Sequence, residues 1–529
     1  MRAVSRLAVG CFILLLATGQ SGCGSSTPST PEGSGGNESG SGGHSSGGSS
    51  ASGGSGSGGS SASSSGGAKG SGGVVGSGGH VGTASGGATG SGGLTGGASG
   101  GATGSGGGTT ASGGKVGGGG MAAGGSNGSG GLVGTAGGSG SGNTTGGGGS
   151  SGGPSSGENN FASCMASAGA MKKNMKLPNP FMMHDGTVIS TKAQWECRRA
   201  EIKADLEKYE IGPKQDPSGL TVKATLSGMK LSVDVTVGSN TITLSGTISG
   251  SGSCLVIGMG GTTSLVTGCM QLPFSTDQVV KYDGTDSNQY QTDPFYKLYP
   301  SLWQKIGNYS AWSWGVSRLI DGLAQVKDQL KLDMTKIGTW GCSYAGKMSL
   351  FAGALDERVA LTIVEESGGG GINAWRTSQE FVDRTMMSIE KIDNTNYGWF
   401  MPSMQKLDPY SLPHDHHELI AMIAPRATII LGNDNYVWLG DESGYKSTQA
   451  ALQVFTALGV ADHIGWDFTS NSGQAHCGPP ATQKTSVNTF VQRYLVGGTG
   501  ATSVAIKPPT SSFDLDWTKD VDWTAPTLQ

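Results

Sequence analysis

The chain has 529 residues, 98 of them glycine, and a formal net charge of −4. With so mild a charge and no basic stripe, a nucleic-acid partner is not expected. The glycines crowd into the first third, so composition alone divides the chain into three parts.

Residues 1–23 open "MRAVSRLAVGCFILLLATGQSGC". Arg2 and Arg6 precede a short apolar run and then small residues, the pattern of a secretory signal peptide. Cys23 follows Gln20-Ser21-Gly22 and is a candidate lipid-anchor site of a bacterial lipoprotein, although Gln20 stands where a large aliphatic residue is usual. The expected location is exported, either secreted or at the cell surface as an outer-membrane lipoprotein. No later stretch is apolar enough to span a bilayer.

Residues 24–157 are almost wholly Gly, Ser, Ala and Thr. Such a segment cannot bury enough apolar surface to offset chain entropy, so it reads as a disordered linker. A flexible coil of that length would span on the order of 60–70 Å. Residues 158–529 have globular composition and suffice for one large α/β domain.

Within that domain, "TKAQWECRRAEIKADLEKYEIGP" has helical spacing and ends at Gly212-Pro213. "LTVKATLSGMKLSVDVTVGSNTITLSGTISGSG" alternates like an antiparallel meander. "CLVIGMGG" reads as a buried strand, and "NYSAWSWGVSRLIDGLAQVKDQL" as a helix. "KIGTWG" is a strand followed by the helix "AGKMSLFAGAL". "VALTIVEESGGGG" is a strand ending in two acids. "PHDHHELIAMIAP" is a helix, "RATIILGNDNYVWLG" a strand ending in Asp434, and "KSTQAALQVFTAL" and "TSVNTFVQRYLVG" are helices. This alternation predicts a mostly parallel central sheet with helices on both faces.

Six cysteines remain beyond the leader, and an even number in an exported chain implies bridges with fifteen pairings available. Cys342 adjoins Ser343, and Cys477 adjoins His476. A Cys342–Cys477 bond would follow if Ser343 and His476 are partners. Cys164–Cys197 and Cys254–Cys269 are then the simplest remaining pairs.

The stretch "GCSYAGKM" nearly fits two motifs. A phosphate loop needs a hydroxyl after its lysine, and Met348 stands there. A nucleophile elbow needs small residues two before and two after its serine, and Gly341 and Ala345 supply them. Ser343 is therefore read as a nucleophile, with a helix N-cap as the plain alternative. His476 is the plausible base late in the chain. His414, His416, His417 and His463 read as packing residues. Glu366 and Asp434, at two strand ends, compete as the acid that orients the imidazole. No grouping has metal-ligand spacing, and neither metal nor cofactor is expected.

Taken together, "LPNPFMMHDGT", "AWSWGVSRLID", "GCSYAGK", "GALDERVALTIVEESGGGG", "HDHHELIAMIAPR", "WLG", "AHCG" and "DWTAPTL" resemble the glucuronoyl esterases, carbohydrate esterase family 15. The resemblance implies an α/β-hydrolase three-layer sandwich. It also implies hydrolysis of the ester between (4-O-methyl-)glucuronic acid of glucuronoxylan and lignin alcohols, without a cofactor, by a monomer. It makes Ser343 the nucleophile, His476 the base and Glu366 the acid, with Asp434 as the alternative that some members use. It places Lys347 and Trp438 against the sugar and matches the Cys342–Cys477 bond. Most members carry arginine after the nucleophile; here Tyr344 stands there, and its backbone N–H is the expected oxyanion donor. Glu390 and Asn396 are candidates for further sugar contacts. Two other readings fit less well: another carbohydrate or acetyl esterase, and a non-catalytic carbohydrate-binding protein on the same fold.

Overall fold

The structure is a computed structural model that describes residues 157–158, 164, 166–282 and 290–529. The signal peptide, Cys23 and residues 24–156 of the linker expected from the sequence lie outside the described residues. Helix α1 (Lys192–Tyr209) starts on a capping box, in which Thr191 and Gln194 satisfy each other's backbone N–H groups. Strands β1 (Leu220–Ser227), β2 (Lys230–Val237) and β3 (Asn240–Thr247) form a three-stranded antiparallel meander. Strands β4 (Leu255–Met259) and β5 (Met270–Phe274) follow. Helices α2 (Pro294–Leu298) and α3 (Asn308–Leu330) precede β6 (Ile337–Cys342), α4 (Tyr344–Leu355) and β7 (Val359–Glu365). Then come α5 (Trp375–Thr385), α6 (His416–Ala421), β8 (Ala427–Leu431) and α7 (Asp441–Ala457). Strand β9 (Ile464–Asp467), α8 (Ala481–Val491) and β10 (Ala505–Ile506) complete the order.

The main sheet runs β10-β9-β8-β7-β6-β4-β5, with every pair parallel. Its central strands β4, β6, β7, β8 and β9 are buried on both faces, so their side chains alternate between two cores. Leu255, Ile257, Val364 and Ile430 face one core with residues of α3, α4, α6 and α7. Val256, Leu361, Ile363 and Ile429 face the other with Val487 and Phe490 of α8. This is the α/β-hydrolase three-layer sandwich read from the sequence. Three differences are local. β8 ends at Leu431, so Asp434 lies in the loop beyond it rather than on the strand. β5 went unread because Pro273 interrupts its pattern, which an edge strand tolerates. α2, α5, β9 and β10 also went unread, the last two being four and two residues long.

The three cysteine pairs are Cys164–Cys197, Cys254–Cys269 and Cys342–Cys477. The domain's first described residues are fixed by charge. Buried Glu158 pairs with Lys214 and Arg318, and its carbonyl accepts the Glu357 N–H at 3.2 Å. Lys214 Nζ also donates to the Leu355 carbonyl at 3.1 Å. Histidines 414 and 416 are wholly buried and donate to the two oxygens of Glu210 at 2.9 and 2.6 Å. The pull of His416 and His414 outweighs burial and holds Glu210 down at about 2. These histidines pack the core, as their sequence context suggested.

Candidate active site

The site lies where the parallel strands end, the usual crevice of an open α/β sheet. At the end of β6 the backbone turns into α4 through Ser343, with φ 61° and ψ −128°. A non-glycine residue held there costs on the order of 1–3 kcal/mol and persists only where its surroundings enforce it. They do so here by closeness. A Cβ on Gly341 would stand 2.0 Å from the Ala345 carbonyl oxygen, and one on Gly346 would stand 2.5 Å from that of Glu365. The Ser343 N–H donates to the Glu365 carbonyl at 3.0 Å. The turn thus presents a half-buried Ser343 side chain above the sheet, the shape of a nucleophile elbow.

Glu366 follows the neighbouring strand β7 and also has a positive φ, 43°. Its buried carboxylate is fully engaged. Oε2 accepts His476 Nδ1–H at 2.6 Å and the Cys477 N–H at 3.0 Å, and Oε1 accepts the Asn433 amide at 3.1 Å. A proton on Nδ1 leaves the lone pair on Nε2, the atom a general base uses. His476 is a quarter exposed, and its N–H donates to the Tyr436 hydroxyl at 2.9 Å. The Cys342–Cys477 bond, with Cα atoms 5.8 Å apart, ties the residue before the serine to the residue after the histidine.

Asp434 does not meet His476. One oxygen takes the Ser470 hydroxyl, and the other takes the hydroxyl and the N–H of Thr510, the latter at 2.9 Å. Of the two acids the sequence left open, Glu366 is the one in contact with the imidazole. Sulfur, carboxylate and imidazole atoms of Cys342, Glu366, His476 and Cys477 lie within 4.8 Å of one another. The two sulfurs are bonded to each other, so neither is a thiolate able to ligate a metal.

Two further buried carboxyls flank Glu366. Burial pushes Glu365 up to about 7, opposed by the Trp340 Nε1–H bond at 2.9 Å and assisted by the Glu366 charge. Burial also pushes Asp441 up to about 8, with Glu366 and Asp434 adding to it.

A family model described as fungal glucuronyl esterase matches residues 232–459. A 4-O-methyl-glucuronoyl methylesterase of Cerrena unicolor is 36% identical over 385 residues, covering 69% of this chain and 79% of the relative. The chain belongs to the glucuronoyl esterase family. The solved catalytic domain of a glucuronoyl esterase from Hypocrea jecorina superposes with a TM-score of 0.62 at 33% identity, covering 68% of this chain and 98% of that one. A mutant esterase from Sporotrichum thermophile, solved with methyl 4-O-methyl-β-D-glucopyranuronate, matches with the same TM-score and identity over 69% of this chain and 100% of that one.

In this glucuronoyl esterase, Lys347 sits one turn into α4 beyond the elbow. It is buried, pairs with Glu390, and its Nζ lies 5.1 Å from the Trp399 ring centroid. Glu390 also accepts the Thr395 hydroxyl at 2.6 Å. Trp438 is 46% exposed, and its ring meets the His476 imidazole edge-on at 4.7 Å. Asn396 caps a turn: its side-chain oxygen accepts the Gly398 N–H at 2.9 Å. The Tyr344 N–H begins α4, where helix geometry leaves it without an intrahelical acceptor. Its side chain turns away to stack on Tyr282, with centroids 3.9 Å apart and planes at 18°. Sequence reasoning missed Asn433, Tyr436, Tyr282 and Trp399. Each reaches the site only through tertiary packing, and none stands in a motif.

Proposed function

We propose that Ser343, His476 and Glu366 are the nucleophile, base and orienting acid with which this carboxylic ester hydrolase cleaves the ester between 4-O-methyl-glucuronic acid of glucuronoxylan and lignin alcohols. The observation that carries it is the His476 Nδ1–Glu366 bond, with the residue after His476 tied by a disulfide to the residue before the elbow serine. The substrate class follows from the family, and from the methyl glucuronate bound by the Sporotrichum relative.

His476 Nε2 takes the Ser343 proton as Oγ attacks the uronate carbonyl. Glu366 keeps the imidazole in the right tautomer and stabilises its cation. The Tyr344 N–H donates to the forming oxyanion. The alcohol departs with the proton held by His476, and water, deprotonated by the same imidazole, then hydrolyses the glucuronoyl-enzyme and restores Ser343. Lys347 and Trp438 hold the uronate in place, which supplies the positional part of catalysis.

The domain plan is part of the proposal: signal peptide 1–23, linker 24–157 and catalytic domain 158–529, acting as an exported monomer. Three disulfides suit an oxidising compartment. The leader pattern favours a bacterial source, with Cys23 as the lipid-anchor site; an acylated Cys23 at the mature N-terminus would establish the anchor.

The test is hydrolysis of benzyl glucuronate by the full chain, beside benzyl acetate and a Ser343→Ala control. Turnover of the glucuronate ester, lost in the control, supports the reading. Preferred turnover of the acetate would move the function to a general esterase.

A further inference from the structure

The loop after β8 reaches the acid of the triad. Gly432, its first residue, is held from two sides: its N–H donates to the Asp467 carbonyl at 3.1 Å, and its carbonyl accepts the Gln483 amide at 2.7 Å. Asn433 comes next and is wholly buried. Its side chain meets Glu366 on Oε1, while His476 takes Oε2.

Hydrogen-bond chemistry admits one orientation of that side chain. Its oxygen accepts the Asn435 amide at 2.9 Å and the Asn435 N–H at 3.4 Å. Its NH2 is therefore turned the other way, to Glu366 Oε1 at 3.1 Å and to the Ala475 carbonyl at 3.4 Å, two groups that accept. One amide thus bridges the acid and the residue before the histidine. Asn435 is itself tied to the Asn471 carbonyl at 2.8 Å, and the Tyr436 hydroxyl takes the His476 N–H at 2.9 Å. The other ionisable groups around Glu366 are engaged elsewhere. Glu365 of β7 accepts Trp340 Nε1–H and feels the charge of Lys484 on α8. Asp441 of α7 accepts the Asn433 N–H, and Asp434 takes Ser470 and Thr510.

We infer that Asn433, locked by Asn435, is a positioning residue of this esterase: it holds the Glu366 carboxylate toward His476 and sets the acidic limb of the pH–rate profile. This rests on the Ser-His-Glu reading above. One contact has two effects. The bond to Oε1 fixes the rotation of the carboxylate, so that Oε2 stays on Nδ1. The positive end of the amide also draws on the carboxylate charge, which leaves less of it to favour the imidazolium. Without the amide the first effect is lost, and the imidazole keeps its proton to higher pH.

The test is the pH–rate profile of the full chain on benzyl glucuronate, for the unaltered protein, Asn433→Ala, Asn435→Ala and Glu366→Gln. Asn433→Ala is expected to lower the plateau kcat by about tenfold, the scale of a lost hydrogen bond to a charged group, with KM little changed. It is also expected to move the acidic limb of kcat/KM up by about half a pH unit. Asn435 is exposed, so Asn435→Ala does not threaten the fold, and it is expected to move the limb the same way by less. A limb that stays in place in both variants, whatever rate is lost, is what a merely structural role gives and overturns the inference. An unchanged plateau kcat in Asn433→Ala overturns it as well. Should Asn433→Ala fail to fold, the limb of Asn435→Ala decides alone. Glu366→Gln separates the two failures: activity retained in that variant overturns the Ser-His-Glu reading itself, and the inference with it.

Discussion

Cys342 and Cys477 are 135 residues apart in sequence, yet they are bonded, one beside the elbow serine and the other beside the histidine. A cross-link of that span removes about 4–5 kcal/mol of chain entropy from the unfolded state on the loop-closure account. It also fixes the distance between two loops that have no other covalent tie. The double variant Cys342→Ser/Cys477→Ser is expected to lose stability in urea unfolding and to lose kcat by about tenfold or more, with KM little changed. Cys254→Ser/Cys269→Ser is the control. That pair spans 15 residues at the amino ends of β4 and β5, away from the site, so stability should fall by about 3 kcal/mol with kcat retained.

Glu366 and Asp434 make opposite predictions. Glu366→Gln removes the group that fixes the imidazole tautomer and should lower kcat by about 10³–10⁴-fold, with the fold intact. Asp434→Asn breaks contacts to Ser470 and Thr510 and should cost stability, with kcat changed by less than about tenfold. Initial rates and urea midpoints on the two variants check both. The reverse ranking of rates would give the acid's role to Asp434.

Gly341→Ala tests the elbow without touching a reacting atom. The added Cβ meets backbone, 2.0 Å from the Ala345 carbonyl oxygen, and no side chain can move to relieve it. A destabilisation of about 1–3 kcal/mol or more is expected. Activity should fall further than the loss of folded protein explains, because the displaced turn carries Ser343. Rates normalised to the folded fraction measure this.

Asp441 gives a pH signature. Its ordinary value is 3.8, and burial raises it to about 8 in the folded protein. Below pH 3.8 both states hold the proton and the group contributes nothing. Between there and pH 8 the unfolded chain releases a proton that the folded chain keeps, so stability declines as pH rises. Asp441→Asn never ionises and avoids that decline. The difference in urea midpoint, variant minus parent, should therefore be larger at pH 8 than at pH 5. Parallel pH curves would remove Asp441 from the account.

The elbow and the sheet were legible because they are local patterns. Gly341, Ser343 and Ala345 stand within five residues, and buried parallel strands read as apolar runs. The choice of acid was not legible. Glu366 comes directly after β7 and Asp434 lies in the loop past β8, and which of them meets the imidazole is decided by contacts distant in sequence, Asp434 being taken by Ser470 and Thr510. Glu390 reaches Lys347 across 43 residues, and Tyr282, Tyr344 and Trp399 come from three separate segments, so no spacing rule connects them. Strand β5 was hidden by Pro273, which would be out of place in a central strand and is tolerated at the edge.

The ionic anchor at Glu158 has a mechanical consequence. Tension arriving along the chain from its amino-terminal side enters the fold at that residue, where Lys214, Arg318 and the Glu357 N–H hold it. Those contacts fall on α3 and at Leu355, the end of α4 farthest from Ser343. A domain pulled by its leading end would therefore be gripped one full helix, α4, away from the serine.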